Sequence, residues 1–330
     1  MAFAFRPGAR TNVGLLIGLS GASGSGKTYT GMRLAKGIAG DRPFAVIDTE
    51  AGRANHYADQ FRFDHGDLTP PFHPDRYTDA IVAADKAGYP AIVVDSASHE
   101  WAGDGGILDM QEAELERLAH DDYKRREAMK MVSWIKPKMA HKKMVQRLLQ
   151  VRAHLILCFR AEPKIEMVKG ADGKMEIREK QSLTGIHGWI PICEKNLPYE
   201  LTVSFLLMAD KPGVPIPIKL QQQHKGLFPL DQPITEASGA QLAAWAHGVD
   251  SKAATETRSI VDATIDRWLK AIAQATTRED LDRINAEIKA GKSALSASQL
   301  TTLRETVKAK TKTLSRSKTD SLKQSDMRWS

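Results

Sequence analysis

The chain has 330 residues, 42% apolar and 26% charged, enough to bury at least one sizeable core and to form one large domain or two smaller ones. No segment approaches the ~18 apolar residues of a membrane span, and MAFAFRPGARTNVGLLIGLSG runs into a glycine loop rather than a cleavage site, so neither export nor a membrane anchor is expected and a cytoplasmic location is. Of the formal charge of +7, +6 lies in residues 252–330, an asymmetry that suits a polyanionic partner or solubility alone.

The first apolar run, VGLLIGLS, reads as a strand and leads into GASGSGKT, Gly21 to Thr28, which matches G-x-x-x-x-G-K-[ST] in full. Residues 27–39 then have helical spacing. Glycine is needed in such a turn because its backbone N–H groups must point inward at a polyanion, and the following helix adds its positive end. Nucleoside triphosphate binding is therefore expected of Gly21, Ala22, Ser23, Gly24, Ser25, Gly26, Lys27, Thr28 and Tyr29. Lys27 would reach the β- and γ-phosphates and the Thr28 hydroxyl would join a magnesium shell.

PFAVIDTE is the next strand, with Glu50 just past its end and able to orient a water toward the γ-phosphorus. Asp48 of the same strand end is expected to support magnesium through water. AIVVDSAS follows, a buried strand ending in Asp95, the second magnesium ligand in a Walker B arrangement. Ser96 and not a glutamate comes next, so the base must lie elsewhere; Glu50 is favoured, with Glu100 as its competitor.

A helix over 138–152 precedes the strand HLILCFRA, and EPKIEMVKGADGKMEIREK, residues 162–180, alternates about GADGK like a projecting hairpin. LTVSFLLMAD and PIPIKLQQQ complete the strands. Strands without strict alternation, taking turns with helices, predict an α/β fold with a largely parallel central sheet flanked by helices. Cys158 and Cys193 lack metal-type spacing and read as buried thiols.

After residue 247 the strand signal stops. The expected division is a nucleotide-binding core over 1–247, a linker over 248–258, a small helical module over 259–314 and a basic, disordered tail over 315–330. Thr277 with Asp280 and Ser296 with Gln299 are helix-start signals ahead of the sets Leu281/Ile284/Ile288 and Leu300/Leu303/Val307.

GASGSGKT, AVIDTE, AIVVDSAS and HLILCFRAEPK together resemble the RecA-like ATPase core, in particular compact phage proteins related to Sak-type single-strand annealing ATPases, over residues 12–247. The resemblance implies ATP and Mg2+ as cofactors, assembly into rings or filaments, and a base at Glu50. It also implies a γ-phosphate sensor at Arg160, where RecA itself has a glutamine, coupled to a DNA-binding loop that holds Lys164, Lys169 and Lys174. Lys225, and less directly Lys219, match the late strand and turn that supply fingers to a neighbouring subunit. The C-terminal module resembles the helical tails of phage recombination proteins, where a single-strand-binding or replication protein could dock.

Residues 128–161 contain no acid, and Lys136, Lys138, Lys142 and Lys143 fall within them, a pattern that suits a phosphodiester backbone unless the acidic run DMQEAELERLAHDD balances it in space. The expected function is Mg-ATP-dependent binding of single-stranded DNA with strand annealing or exchange. The alternatives are a small-molecule kinase, with KRREAMK as its lid, and a nucleotide-gated adaptor of the helicase-loading kind.

Overall fold

The computed structural model describes residues 14–120, 122–170, 173–179, 188–248, 251–291, 295 and 297–326. The N-terminal 13 residues, part of GADGK, Ser296 and the last four residues lie outside them. The chain divides into two compact units, Met1–Val249 and Asp250–Ser330.

In chain order the first unit carries β1 (Leu16–Gly21), α1 (Lys27–Ala39), β2 (Phe44–Asp48), β3 (Phe63–Asp67), α2 (Pro74–Lys86), β4 (Ala91–Asp95), α3 (Ser98–Ala102), α4 (Ile107–Ala119), α5 (Tyr123–Met129) and α6 (Ile135–Leu148). β5 (His154–Pro163), β6 (Ile165–Lys169), β7 (Met175–Glu179), β8 (Trp189–Pro191), α7 (Leu197–Glu200), β9 (Val203–Leu207), β10 (Pro215–Lys219) and α8 (Glu236–Ala246) follow. The sheet order is β10-β9-β1-β5-β4-β2-β3. Every pair along it is parallel except β10 with β9, so the expected α/β class with a mostly parallel sheet is the observed one.

Burial on both faces explains why these strands do not alternate in hydropathy. Ile17, Leu19, Val46, Val93 and Ile156 point into one core with Met32 and Leu34 of α1 and Leu242 of α8. Their neighbours Leu16, Ile47, Ile92, Val94 and Leu155 point into the other, with Tyr77 and Ile81 of α2 and Met144 and Leu148 of α6. β3 carries no strand signal in the sequence because its FDHGD forms a polar edge strand with three of its five residues exposed.

α1 and α8 approach so closely that a Cβ on Gly239 would stand 2.2 Å from the Leu34 carbonyl oxygen, and one on Gly37 2.0 Å from that of Glu236. Arg33 adds a salt bridge to Glu236 at 2.7 Å. Gly239→Ala is expected to force the helices apart and cost about 2 kcal/mol, lowering Tm by roughly 4–8 °C in a thermal melt. An unchanged Tm would contradict this contact.

β6 and β7 form the expected antiparallel hairpin, a sheet of two strands only. Its register puts Ile165, Met167, Met175 and Ile177 on one face, all exposed.

The second unit holds α9 (Ser251–Gln274), α10 (Arg278–Ala290) and α11 (Ala297–Asp326). Trp268, Ile272, Leu281, Ile284, Ile288 and Leu303 form its core, with Leu300 and Val307 packed on it. Thr277 and Asp280 make the expected capping box. Two expectations differ from the structure: α9 occupies most of the stretch read as a linker, and α11 continues through most of the stretch read as a disordered tail. Neither stretch contains Gly or Pro within its helical part, so backbone breakers are missing where solvation by charged and polar residues dominated the sequence reading. No helix of the described residues is long and apolar enough to cross a membrane.

Candidate nucleotide-binding site

The parallel register brings four strand ends to one edge of the sheet: Gly21 pairs with Arg160, Asp95 with Cys158 and Asp48 with Asp95. Because β5 lies between β1 and β4, Asp95 reaches the phosphate loop from across one intervening strand. Above this edge opens a cavity of about 740 Å3. Gly21, Ala22, Ser23, Gly24, Gly26, Lys27, Thr28 and Tyr29 line it, together with Glu50, Asp95 and Arg160.

Locally, Gly24 and Gly26 adopt φ of 79° and 81°, a left-handed conformation that other residues rarely accept. A Cβ at Gly21 would stand 2.4 Å from the Ser25 hydroxyl, which itself donates to the Ala22 carbonyl at 2.8 Å. Ser25 is fully buried and so braces the loop rather than facing the cavity. α1 then begins at Lys27 without an acid in its first turn, leaving its N-terminal amides for an anion. Lys27 Nζ donates to the Ala22 carbonyl at 2.8 Å. Burial lowers the Lys27 pKa, with the nearby carboxylates opposing that effect.

Thr28 Oγ1 donates to Asp95 Oδ2 at 2.5 Å, a hydroxyl and a carboxylate meeting beside the phosphate loop. That donor set fits magnesium, which favours oxygen ligands and keeps open positions for phosphate oxygens and water. Asp95 is almost wholly buried, and burial pushes its pKa to about 6. Two positive groups hold Glu50: Arg160 donates to Oε1 at 2.6 Å and Arg53 to Oε2 at 2.9 Å. Burial alone would raise the Glu50 pKa, but these bonds outweigh it and keep the carboxyl below its ordinary value.

Asp48 does not face the cavity, contrary to its expected role near magnesium. Its Oδ1 accepts from the Glu50 amide at 2.6 Å and its Oδ2 from the Ala54 amide at 2.9 Å, so it shapes the loop that presents Glu50. Glu100 is buried against His141 at 2.9 Å and does not line the cavity, whereas Glu50 and Glu162 do. Thr49 Oγ1 accepts from the Ser96 amide at 2.7 Å, and Ser98 Oγ accepts from the Arg160 amide at 2.9 Å, tying the ends of β2, β4 and β5 together.

Arg53, His56, Tyr57, Trp189 and Ile192 line the cavity without having been read as site residues. Tyr29 lies 5.8 Å from Tyr57, ring to ring, which supplies flat apolar surface for a base. The position of Arg53, three residues after Glu50 in EAGRANHY, was the available sequence signal; Trp189 had none, because only the pairing of β8 with β5 returns it here.

The basic candidates are less uniform than the sequence implied. Lys136 pairs with Glu114 at 3.0 Å, Lys143 with Asp75 at 3.3 Å and Lys164 with Glu162 at 3.3 Å. Lys138 lies over the Trp134 ring, while Lys142 is exposed. Lys169 and Lys174 belong to the hairpin. Lys219 donates to the Tyr199 carbonyl at 2.6 Å, Lys225 is exposed in a 3-10 turn, and neither lines the cavity. α5, which contains most of KRREAMK, does not line it either.

Comparison with curated proteins gives no match. A family model described as AAA domain matches residues 14–189, which span β1 to the start of β8 and include Gly21, Lys27, Thr28, Glu50, Asp95 and Arg160. The chain thus belongs to the AAA domain family, nucleotide-binding P-loop ATPases, and this cavity at the carboxyl edge of its sheet is where that family membership and the geometry meet.

Proposed function

We propose that the chain is a Mg-ATP-dependent ATPase that binds single-stranded DNA, assembles into rings or filaments, and promotes strand annealing or exchange of the kind used in phage-type recombination. One observation carries the reading. β5 delivers Arg160 to Glu50 at 2.6 Å, its next three residues line the cavity, and the β6–β7 hairpin starts directly beyond them. A γ-phosphate would compete with Glu50 for the Arg160 guanidinium, so occupation of the cavity would be felt at the root of the hairpin.

In this reading the loop amides and Lys27 hold the β- and γ-phosphates, while Thr28 and Asp95 hold the metal. Magnesium, when bound, neutralises charge on the phosphate oxygens. Glu50, released by Arg160, accepts a proton from the water that attacks the γ-phosphorus. Lys142, Lys169 and Lys225 are exposed cations proposed to meet DNA or a neighbouring subunit, Lys174 lies on the same hairpin as Lys169, and the C-terminal module is the proposed dock for a single-strand-binding or replication protein. ATP turnover should rise several-fold with single-stranded DNA, and Arg160→Ala should abolish that rise while basal turnover persists. Equal turnover with and without DNA in the wild type would overturn the coupling.

The two guanidinium groups on Glu50 favour one second reading, a nucleotide-gated adaptor in which Glu50 is structural. Nucleotide-dependent partner binding that survives Glu50→Gln in a protein without turnover would support it.

A further inference from the structure

We infer that the groove between α10 and α11 binds the phosphodiester backbone of a single-stranded nucleic acid. Arg304, Lys308 and Lys312 follow at four-residue intervals on α11, so they stack along one face at about 6 Å per step. With Asn285 of α10, Val307 and Thr311 they line a depression of about 580 Å3 whose lining contains no acid. All three cations are exposed, and among the described residues none of them has an ion pair or hydrogen bond. Lys310 on the same helix differs, for it is used in the fold through a bond to the Ala273 carbonyl at 2.6 Å.

Charge within this unit is segregated. Residues 251–291 hold 7 basic and 7 acidic side chains, whereas residues 292–330 hold 9 basic and 3 acidic. The excess of the whole unit therefore belongs to α11 and its flanks, where it cannot be explained by pairing within the described module. A row of cations matches a chain of anions better than a single phosphate, which would need donors converging on one point. Insertion into a lipid surface needs exposed apolar side chains beside the cations. Leu303 is instead buried in the core with Leu300 and Val307 packed against it, and among the residues of this unit whose exposure is described no large apolar side chain is exposed. A flexible single strand can also lay successive phosphates along a straight row, which the curved backbone of a stiff duplex follows over a shorter distance.

This site belongs to the second unit and shares no lining residue with the nucleotide cavity, and its occupancy does not depend on ATP. The test is fluorescence polarisation of a labelled oligo-dT with the full chain, without nucleotide, across a salt series. The wild type should bind. The triple variant Arg304→Gln/Lys308→Gln/Lys312→Gln should lose tenfold or more in affinity at low salt and flatten the log–log salt slope by about 2, as expected for three phosphate contacts on a single strand. Lys308→Arg should behave as wild type, Lys27→Ala should bind equally well, and basal ATP turnover of the triple variant should be unchanged. Since all three side chains are exposed, a melt should show the variant folded; if it does not, the single reversal Lys308→Glu is read instead and should weaken binding and flatten the slope. Wild-type binding with an affinity and slope that these substitutions leave untouched overturns the inference. So does a wild type that binds no oligo-dT, including one that uses the same residues on anionic phosphatidylserine vesicles. Loss of DNA-stimulated turnover with this binding intact would instead count against the ATPase reading alone.

Discussion

Glu50→Gln is expected to reduce ATP turnover by 10²-fold or more, in the range of removing a general base, while nucleotide affinity changes little. The substitution keeps shape and one acceptor, so the Asp48-shaped loop and a bond from Arg160 or Arg53 can persist. What is lost is the carboxylate, the group that the two guanidinium bonds keep ionised below its ordinary pKa. Such a loss should appear in kcat, since the triphosphate is held by the loop, Lys27, Thr28 and Asp95. A comparable drop from Glu100→Gln would be a surprise, because Glu100 is buried against His141 and does not line the cavity. Single-turnover measurements with both variants decide the matter: intact hydrolysis by Glu50→Gln would remove Glu50 from the chemistry.

Asp95→Asn should have opposite effects on the empty and the loaded protein. Burial raises the Asp95 pKa from the ordinary 3.8 to about 6, which corresponds to about 3 kcal/mol of penalty on its charged form. A carboxyl raised in this way favours the fold fully below pH 3.8, and that contribution is lost as pH rises through about 6. At pH 7.5 the uncharged asparagine, still able to accept from Thr28, should therefore raise the Tm of the nucleotide-free protein by roughly 5–10 °C. The gap should narrow as pH falls toward 5. With Mg-ATP present at about a thousandfold excess over Kd the order should reverse, because the wild type gains about 4.1 kcal/mol and the variant lacks the carboxylate for the metal. A variant less stable than wild type when empty, or still stabilised by Mg-ATP over ATP alone, would contradict this picture of Asp95.

The phosphate loop was legible because its chemistry is local: glycines, a lysine and a hydroxyl residue in eight positions between a strand and a helix. Asp95 and Glu50 were legible for a related reason, since parallel strands deliver their ends to one edge wherever the sheet is doubly covered. Asp48 was misjudged because its two oxygens are taken by the amides of Glu50 and Ala54, a matter of loop path that composition does not encode. The acid-free stretch over 128–161 looked like a polyanion surface, yet Lys136 and Lys143 meet acids brought from α4 and α2. β3 stayed hidden because an edge strand with a polar sequence lacks the burial that makes the inner strands conspicuous. The parts of α9 and α11 around Trp268 and Leu303 were legible from their apolar spacing, whereas the first turns of α9 and the end of α11, read as linker and tail, are polar helix without such a stripe.

Calorimetric titration of the full chain with a non-hydrolysable ATP analogue tests most directly whether the cavity at the carboxyl edge is a Mg-triphosphate site. One molecule should bind per chain in magnesium, with affinity falling by about 100-fold or more in Lys27→Ala, where the cation facing the phosphates is gone. Binding of equal strength in wild type and Lys27→Ala, or none in either, would contradict such a site.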